Sequence, residues 1–467
     1  MLRKTKIIAT LGPATHGRDM LRQLIAQGVD VFRINMSHAR HDTVREVVGI
    51  IREESAKLDR SVAILVDLQG PSIRTGDLPE AYTLKVGDVV EFRNDDLVAG
   101  QPLSTTVNYV GLSEDVSVGD TLLADNGVIH FKVVTKSPGR LVCQTLTAGQ
   151  LGSRRHINLP GVRVNLPSLT KKDLLDIDLA ISLQADYVAL SFVRDARHVQ
   201  QLRDLLGEKE CSARIVAKIE DQEAVRHLQE IIIAADAVMV ARGDLGIEVH
   251  IEELPVIQRT ILKECARIGR KVIVATHMLE SMIENPVPTR AEITDVANAV
   301  YEQTDAVMLS GESSVGKHPL ECVSVLDRIA RRMEREPGAG FCQAIELKSE
   351  KQFTVKAAVV LADSLPDSHI LVFTARGIMA NYVAHQRPRH SHIFAFTPDP
   401  VVQRALHLNR AVTPFHMEFA ENPEATIRQA IEHLKSRSFV AAGDPVVILS
   451  DVLTGDFDTN SVLLRKV

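Results

Sequence analysis

Eight short, apolar runs rich in β-branched residues constrain the fold more than any other feature of this chain. They show no alternation of hydrophobic and polar residues, which is typical of parallel strands covered on both faces. Amphipathic helical patterns lie between most of them, so the strand and helix order predicts an α/β fold. Because eight strands are the number that a (β/α)8 TIM barrel contains, we expect that barrel. The runs are Lys6–Ile8, Val31–Ile34, Ala63–Leu68, Tyr187–Leu190, Ile215–Ile219, Ala237–Val240, Lys271–Ala275 and Ala306–Leu309.

The stretch between the third and fourth runs has a residue pattern different from that of the flanking sequence. From Thr75 to Asn165, short runs of Val, Leu and Thr alternate with turn signals, as in an antiparallel β-domain. The stretch is far longer than an ordinary connection from strand to helix, so it must form a domain of its own. We predict a barrel domain at residues 1–70 and 166–337, with an inserted small β-barrel at 71–165. A domain inserted there covers the mouth of the barrel as a lid.

A third unit follows residue 337, where strand-like runs again alternate with helical patterns. This alternation predicts a C-terminal α/β domain at residues 338–467. Its strand-like runs are Ile370–Phe373, Ile393–Phe396, Val446–Leu449 and Val462–Leu464.

Charge and composition exclude several classes of protein. The formal net charge of -6 argues against a nucleic-acid-binding body, which normally carries a basic excess. The five cysteines are widely spaced and contain no CxxC pair, so neither a disulfide framework nor a zinc site is expected. The basic start leads into too few apolar residues for a signal peptide, and no run is long enough to span a bilayer. The sequence therefore predicts a cytoplasmic protein without nucleic-acid or membrane partners.

Polar residues follow six of the eight runs directly. In a barrel of parallel strands these positions all lie at the same mouth. Loops are polar in any protein, but this concentration of Arg, Lys, Asp, Glu, Ser and Thr favours a functional site. The residues are Asn35, Ser37 and His38 after the second run, Asp67 at the end of the third, Lys218 and Glu220 at the fifth, Arg242 to Asp244 after the sixth, Thr276 and His277 after the seventh, and Ser310 and Glu312 after the eighth.

Two of these side chains predict a divalent-metal site. Glu220 and Asp244 follow neighbouring strands, and two carboxylates together with substrate oxygens are the usual ligands of Mg²⁺, with Mn²⁺ as the alternative. Pairing of either carboxylate with an arginine such as Arg242 is the structural alternative. Lys218 lies two residues before Glu220, and an ammonium group beside a metal suggests a polyanionic ligand between them.

Arginines and a glycine-containing segment suggest how an anionic substrate is held. Arg33 and Arg74 are expected at the ends of two other barrel strands, where a guanidinium can bind phosphate with two hydrogen bonds. The segment Arg242–Gly246 predicts a turn leading into a helix, where Gly243 allows close backbone approach and free N–H groups can hold a carboxylate. Thr276 would add a hydroxyl, although a Thr at a strand end is often a helix cap.

One apparent nucleotide-binding motif is rejected. Gly311–His318 resembles a P-loop, but His318 stands where a Ser or Thr would hold magnesium. The segment also follows the last barrel strand instead of opening a nucleotide-binding sheet.

The chain closely resembles the pyruvate kinase family over nearly its whole length. The similar segments occur in the family's order and are Lys6–Ala14, Phe32–His38, Val216–Glu220, Ala241–Gly246, Ala275–Met282, Pro288–Glu292, Asp295–Val300 and Met308–Glu312. The resemblance implies a metal-dependent phosphotransferase that moves the phosphoryl group of phosphoenolpyruvate to ADP, giving ATP and pyruvate as the last step of glycolysis. It also implies a homotetramer under allosteric control.

The resemblance assigns roles to the residues at the predicted mouth. Glu220 and Asp244 would bind the catalytic metal, and Lys218 would steady the phosphoryl group and the enolate. Arg33 would contact the substrate phosphate, while the backbone of Gly243 and Asp244, with the Thr276 hydroxyl, would hold the carboxylate. Nucleotide contacts would fall on Asn35, His38, Arg74 and Lys172.

The family's monovalent-cation site falls on Asn35, Ser37, Asp67 and Leu68. Leu68 offers only its backbone carbonyl at this position. Ser72 stands where a carboxylate accompanies potassium dependence in the family, so the sequence argues against activation by K⁺.

The C-terminal domain resembles the family's effector domain. Its loop reads Thr374–Ala380, and hydroxyl positions have become Arg and Met. Thr374, Arg376 and Gly377 could still bind the phosphate of a sugar-phosphate or nucleotide effector. A domain kept for folding and subunit contacts is an equal alternative.

Two other readings of the whole chain remain open at this point. An enolpyruvate lyase or aldolase would keep the barrel and metal, but the lid and third domain would have no obvious purpose. A metabolite sensor without turnover would predict missing ligands, whereas Lys218, Glu220, Asp244, Arg33 and Thr276 are all present.

Overall fold

A closed barrel of eight parallel strands forms the centre of the molecule, as predicted. The computed structural model describes residues 2–450 and 461–467. The barrel strands follow one another in chain order, and the last pairs with the first. Nearly every strand residue is buried, which explains why the runs are apolar without alternation. The strands are β1 (Lys6–Thr10), β2 (Val31–Asn35), β3 (Ala63–Asp67), β12 (Tyr187–Leu190), β13 (Arg214–Ile219), β14 (Ala237–Ala241), β15 (Lys271–Ala275) and β16 (Ala306–Leu309).

Helices surround the barrel and pack their apolar faces against it. Capping boxes at Thr170 with Asp173 and at Thr289 with Glu292 fix where two of them begin. None of the described helices combines the length and the hydropathy needed to cross a bilayer. The helices are α1 (Arg18–Gln27), α2 (His41–Lys57), α4 (Lys171–Ser182), α5 (Ala196–Glu208), α6 (Gln222–Arg226), α7 (Leu228–Ala234), α8 (Arg242–Glu248), α9 (Leu254–Ile268), α10 (Arg290–Tyr301), α11 (Gly311–Ser314) and α12 (Pro319–Met333), with 3-10 turns at Ile251–Glu253 and Glu280–Ile283.

A β-rich unit with its own core interrupts the barrel between β3 and α4. It consists of a six-stranded sheet and a two-stranded sheet, antiparallel except where β5 pairs with β6. The prediction of a separate inserted β unit is therefore confirmed. Its elements are β4 (Tyr82–Leu84), β5 (Val89–Arg93), β6 (Ser104–Thr106), α3 (Leu112–Asp115), β7 (Thr121–Ala124), β8 (Ile129–Ser137), β9 (Arg140–Thr145), β10 (Gly149–Leu151) and β11 (Ile157–Asn158).

The C-terminal α/β unit contains one strand more than the sequence predicted. The extra strand contains Pro414, and a proline interrupts the residue pattern that is typical of a strand. The proline is tolerated because this strand forms an edge of the sheet. Met1 and residues 451–460 fall outside the described residues. The elements are α13 (Glu350–Asp363), β17 (His369–Phe373), α14 (Ile378–His385), β18 (Ile393–Thr397), α15 (Pro400–Ala405), β19 (Val412–His416), α16 (Pro423–Ser436), β20 (Pro445–Ser450) and β21 (Ser461–Lys466), with 3-10 turns at Phe341–Ala344 and Leu406–Leu408.

A buried ion pair joins the C-terminal unit to the barrel. Arg387 donates from Nη1 to Oδ1 of Asp305 over 2.7 Å and from Nη2 to Oδ2 over 2.6 Å. The two side chains are 4% and 1% exposed. Burial alone would raise the pKa of Asp305, but the charge of Arg387 outweighs it and the net shift is downward. The pair is therefore charged and connects the two units through two parallel hydrogen bonds, and we call it the Arg387–Asp305 clamp.

Arg387→Met tests this clamp, because the change leaves the Asp305 carboxylate buried without its partner. We expect a loss of stability of about 3–5 kcal/mol. The matched control is Arg332→Met, which removes an exposed pair with Glu336 and should cost about 1 kcal/mol or less. Urea unfolding followed by circular dichroism gives both midpoints. Equal midpoints for the two variants would contradict the role of the clamp.

Candidate active site

Four charged side chains meet in the buried mouth of the barrel. Arg33 on β2 donates from Nε to Oδ2 of Asp67 over 2.6 Å. The Nζ atom of Lys218 on β13 lies 3.3 Å from Oδ1 of Asp67 and 2.8 Å from Oε1 of Glu220. No member of the set is more than 9% exposed. The structure therefore brings together three residues that the sequence predicted for the site: Arg33 as a phosphate-binding candidate, Lys218, and Glu220 as a metal-ligand candidate.

Ser191 is a member of this network that sequence reasoning missed. Its hydroxyl accepts a hydrogen bond from Lys218 Nζ over 2.7 Å and donates to the carbonyl of Leu68 over 2.8 Å. The next residue, Phe192, has a φ of 54° and donates its backbone N–H to Oε2 of Glu220 over 2.6 Å. Ser191 directly follows the fourth barrel strand, so the strand-end rule that identified the other residues would also have found it.

The charges in the network set the protonation of Lys218. Burial would lower the pKa of this amine, but the carboxylates of Asp67 and Glu220 outweigh burial and raise it. Burial is the largest single effect on Asp67 and would raise its pKa. The charges of Lys218 and Arg33 together outweigh burial, so the pKa of Asp67 is lowered. Lys218 therefore carries a full positive charge inside the barrel.

Glu220 and Asp244 form a pair of acidic side chains at the mouth. Burial raises the pKa of Glu220 to about 7, Lys218 opposes this shift, and Asp244 reinforces it. The effect of Asp244 means that the two carboxylates lie within electrostatic reach of each other. Oε1 of Glu220 is buried, and its partner among the described residues is the Lys218 ammonium group, 2.8 Å away. A cation between Glu220 and Asp244 would satisfy both carboxylates.

The far side of the mouth is formed by the start of α8 and the end of β15. The helix begins at Arg242 immediately after β14, so the turn predicted before it is absent, because the strand passes straight into helical backbone. A Cβ on Gly243 would lie 2.9 Å from Cγ2 of Thr276, which requires glycine here. Thr276 and His277 have φ values of 70° and 55°. Gly243, Asp244 and Thr276 line one open cavity.

Arg242 holds this side of the mouth in place. It donates from Nη2 to the carbonyl of Thr276 over 2.7 Å and from Nη1 to Oδ1 of Asp295 over 2.8 Å. The sequence raised the alternative that Arg242 neutralises Glu220 or Asp244. The structure shows Asp295, on α10, as its acidic partner.

The donor set fits a divalent ion that is held mainly by substrate oxygens. Within residues 2–450 and 461–467 there is no group of three or more His, Cys, Asp or Glu side chains placed to bind a metal. Mg²⁺ keeps several waters and usually takes one or two protein carboxylates together with substrate phosphate oxygens. Glu220 and Asp244 match that requirement.

Three of the predicted nucleotide contacts lie around the end of β2. Oδ1 of Asn35 accepts the backbone N–H of Ser37 over 3.2 Å, and His38 is exposed. Lys172 donates to the carbonyl of Met36 over 2.7 Å and to Asp176 over 2.6 Å. This arrangement leaves the His38 ring open to solvent beside the mouth.

Arg74 does not lie at the end of a barrel strand, and that prediction was wrong. The chain leaves the barrel after Asp67, so Arg74 forms an isolated bridge with His156 in the inserted unit. Its guanidinium donates to Ser72 and to the carbonyl of Arg154. Burial lowers the pKa of His156, Asp244 opposes this shift, and Arg74 adds to it. Arg74 therefore lies near both His156 and Asp244, so it faces the mouth from the inserted unit.

The positions expected for a monovalent cation are already in use. Both carboxylate oxygens of Asp67 face Arg33 or Lys218, and the Leu68 carbonyl accepts from Ser191. The side-chain oxygen of Asn35 accepts from Ser37. As arranged, this donor set does not fit a potassium ion.

The remaining predicted residues are explained by their contacts. Glu312 is buried and accepts hydrogen bonds from the backbone N–H groups of Leu279 and Ser310, so it fixes two loops of the mouth.

In the predicted effector loop of the C-terminal unit, Oγ1 of buried Thr374 accepts a hydrogen bond from the N–H of Gly377, whose φ is 77°. Arg376 is exposed, and its guanidinium has no hydrogen-bond partner among the described residues. Only Arg376 of the three effector candidates is open to a ligand.

Comparison with known proteins identifies the family. The family model for the pyruvate kinase barrel domain matches residues 2–323, and the model for the pyruvate kinase alpha/beta domain matches residues 352–464. Plastidial pyruvate kinase 2 of Arabidopsis thaliana is 38% identical over all of this chain and 81% of its own length. The pyruvate kinase of Geobacillus stearothermophilus is 40% identical over all of this chain and 80% of its own length.

A solved structure shows the same fold throughout. The crystal structure of a pyruvate kinase from Cryptosporidium parvum superposes with a TM-score of 0.93 at 33% identity, covering 99% of this chain and 96% of that one. The chain belongs to the pyruvate kinase family, whose members are phosphotransferases.

Proposed function

We propose that this chain transfers the phosphoryl group of phosphoenolpyruvate to ADP and releases ATP and pyruvate, the last step of glycolysis. The observation that carries the proposal is the buried, charged amine of Lys218, which lies beside Glu220 at the mouth that also contains Asp244. Phosphoryl transfer depends on positioning and on stabilising charge on the moving group, and this mouth supplies both.

Residues on the two sides of the mouth bind different groups of the substrate. Arg33 and Lys218 bind the phosphate of phosphoenolpyruvate, and Lys218 also stabilises the enolate as the phosphoryl group leaves. The backbone N–H groups of Gly243 and Asp244, with the Thr276 hydroxyl, bind the carboxylate. The close approach of Gly243 to Thr276 supports this assignment, because it places both groups in one cavity.

The nucleotide binds between the barrel mouth and the inserted unit. Asn35, His38 and Lys172 contact ADP from the end of β2 and the start of α4, and Arg74 contacts it from the inserted unit. The electrostatic effects of Asp244 and Arg74 on His156 support this, since both face the same gap. ADP in this gap can attack the phosphoryl group in line.

Glu220 and Asp244 hold Mg²⁺ or Mn²⁺. When bound, such an ion neutralises negative charge on the phosphoryl oxygens. The effect of Asp244 on the pKa of buried Glu220, which shows that the two carboxylates lie near each other, supports this role. Ser191 and Phe192 orient Lys218 and Glu220 toward the site.

The family match favours this function over the two alternatives. A lyase or aldolase would not account for the match of the C-terminal unit to the pyruvate kinase alpha/beta domain. A sensor without turnover would not need the complete set of buried charges at the mouth. Neither alternative has an observation of its own.

Further properties follow from the resemblance and are part of the proposal. They are the domain limits 1–70 with 166–337, 71–165 and 338–467, a homotetrameric assembly, and a cytoplasmic location. Allosteric control through Thr374, Arg376 and Gly377 is supported only by the exposure of Arg376. Plastid and bacterial relatives both match the chain, so they do not distinguish compartments.

Replacing the catalytic amine tests the proposed function. Lys218→Met removes the positive charge from the mouth while keeping a side chain of similar length. We expect kcat to fall by at least about a hundredfold, because the charge that develops in the transition state loses a preorganised cation. Pyruvate formation is measured with lactate dehydrogenase as the coupling enzyme, and circular dichroism verifies the fold.

The control for this variant is Lys209→Met, which changes an exposed lysine paired with Asp178. It should retain the kcat of the unchanged protein. Turnover in Lys218→Met that matches the control would refute the assignment of Lys218.

Exchange of potassium for tetramethylammonium tests the monovalent site. Arg33 and Lys218 already balance the charge of Asp67, so we expect kcat to change by less than about twofold. The assay compares the two chlorides at equal ionic strength, with the coupling enzyme checked separately in both salts. A strict requirement for potassium would show that these residues rearrange to admit the ion.

A further inference from the structure

Arg410, at the junction of the barrel and the C-terminal unit, is a buried arginine whose guanidinium has no hydrogen-bond partner among the residues that the structure describes. It lies between the 3-10 turn Leu406–Leu408 and β19 and is only 4% exposed. Its backbone N–H lies 3.3 Å from Oδ1 of Asp305, but its side chain makes no hydrogen bond or ion pair with any residue that the structure describes. A buried charge without a partner is costly, so such arginines normally meet an acceptor.

The nearby acids are committed to other donors. Glu334 is the acid with the largest electrostatic effect on Arg410, but its carboxylate accepts the backbone N–H groups of Lys4 and Thr5 over 2.8 Å and 2.6 Å. Asp305 is held by Arg387 through two hydrogen bonds. The described part of the chain therefore offers Arg410 no free carboxylate.

Arg410 lines a cavity that is large enough for a small ligand. The cavity has a volume of about 310 Å³, at the lower end of the roughly 300–1,000 Å³ found for small-molecule sites. Lys4 lines it as well, and its amine donates to the backbone carbonyls of Pro388 and Arg389. Arg335, Arg389 and His390 are exposed parts of the same lining, and no described residue accepts a hydrogen bond from their side chains.

The charges of the cavity are unbalanced toward the positive. Of its buried charged groups, Lys4 and Arg410 are basic and Glu334 is acidic. Among exposed lining groups, Glu336 pairs with Arg332, whereas Arg335 and Arg389 remain unpaired within the described residues. Burial and then repulsion by Arg410 lower the pKa of Lys4 to about 8, and burial lowers the pKa of Arg410. A bound anion would relieve both effects.

We propose that this cavity is a binding site for a small phosphate-bearing anion, separate from the substrate site. A guanidinium and an amine converging from different elements match the several acceptor oxygens of a phosphate group. Lys4 precedes β1 and Asp305 precedes β16, so the cavity lies at the face of the barrel opposite the mouth. Occupancy would join Lys4 of the barrel to Arg410 and Arg389 of the C-terminal unit.

Thermal unfolding in the presence of inorganic phosphate tests the site. Phosphate is titrated at constant ionic strength against the unchanged protein, Arg410→Gln and Lys218→Met. We expect the phosphate-dependent rise in Tm to persist in Lys218→Met, which removes a phosphate-binding group from the mouth. In Arg410→Gln the apparent Kd for phosphate should rise at least about tenfold.

Two further measurements keep the proposal testable if Arg410→Gln does not fold. Arg389→Gln changes an exposed lining residue and should weaken the phosphate response by at least about threefold. Crystals of the unchanged protein soaked in sodium selenate should show an anomalous peak within hydrogen-bond distance of the Arg410 guanidinium. An unchanged phosphate response in a folded Arg410→Gln overturns the proposal, as does a selenate map without that peak.

Discussion

The charge balance around Lys218 is the interaction on which the rest of the active site depends. A lysine this deeply buried would lose its proton if burial alone acted on it. Asp67 and Glu220 reverse that tendency, and Arg33 shares Asp67 from the neighbouring side. The result is a permanent positive charge at the mouth beside Glu220, where a metal and a phosphoryl group would meet. Because these side chains leave the ends of three different strands, β2, β3 and β13, only a correctly closed barrel can assemble them.

Other parts of the fold position the residues around this charged group. The inserted unit brings Arg74 and His156 over the mouth, so the nucleotide side of the site depends on how that unit sits. Arg242 and Asp295 fix the Thr276 backbone in a left-handed conformation that leaves room only for glycine at 243. At the opposite face, the Arg387–Asp305 clamp joins the C-terminal unit to the barrel, with the unpaired Arg410 next to it.

Most of the barrel and the main charged residues could be predicted from the sequence, for a physical reason. Buried parallel strands give unbroken apolar runs, and the polar residue after each run must lie at the same mouth, which identified Lys218 and Glu220. The fifth C-terminal strand was missed because Pro414 interrupts its pattern at a sheet edge. Arg74 was misplaced at a barrel strand end, although it lies seven residues beyond the end of β3 and inside the predicted limits of the inserted domain.

Side-chain partners were harder to predict than positions. Asp295 pairs with Arg242 across 53 residues of sequence, and no local pattern links an arginine at a strand end to an acid on a later helix. The burial of Arg410 without an acceptor likewise emerges only when two units pack together. The sequence argued against potassium activation from residue types alone, and it did not foresee that Ser191 and Arg33 contact oxygens of the expected site.

The central claim is that Glu220 and Asp244 share one divalent cation beside Lys218. An anomalous difference map at the manganese absorption edge, from crystals soaked with MnCl₂ and oxalate, tests it most directly. The account predicts one strong peak within about 2.0–2.3 Å of a carboxylate oxygen from each residue, with oxalate oxygens completing the coordination. A map in which the two carboxylates point apart, with no peak between them, would contradict the account.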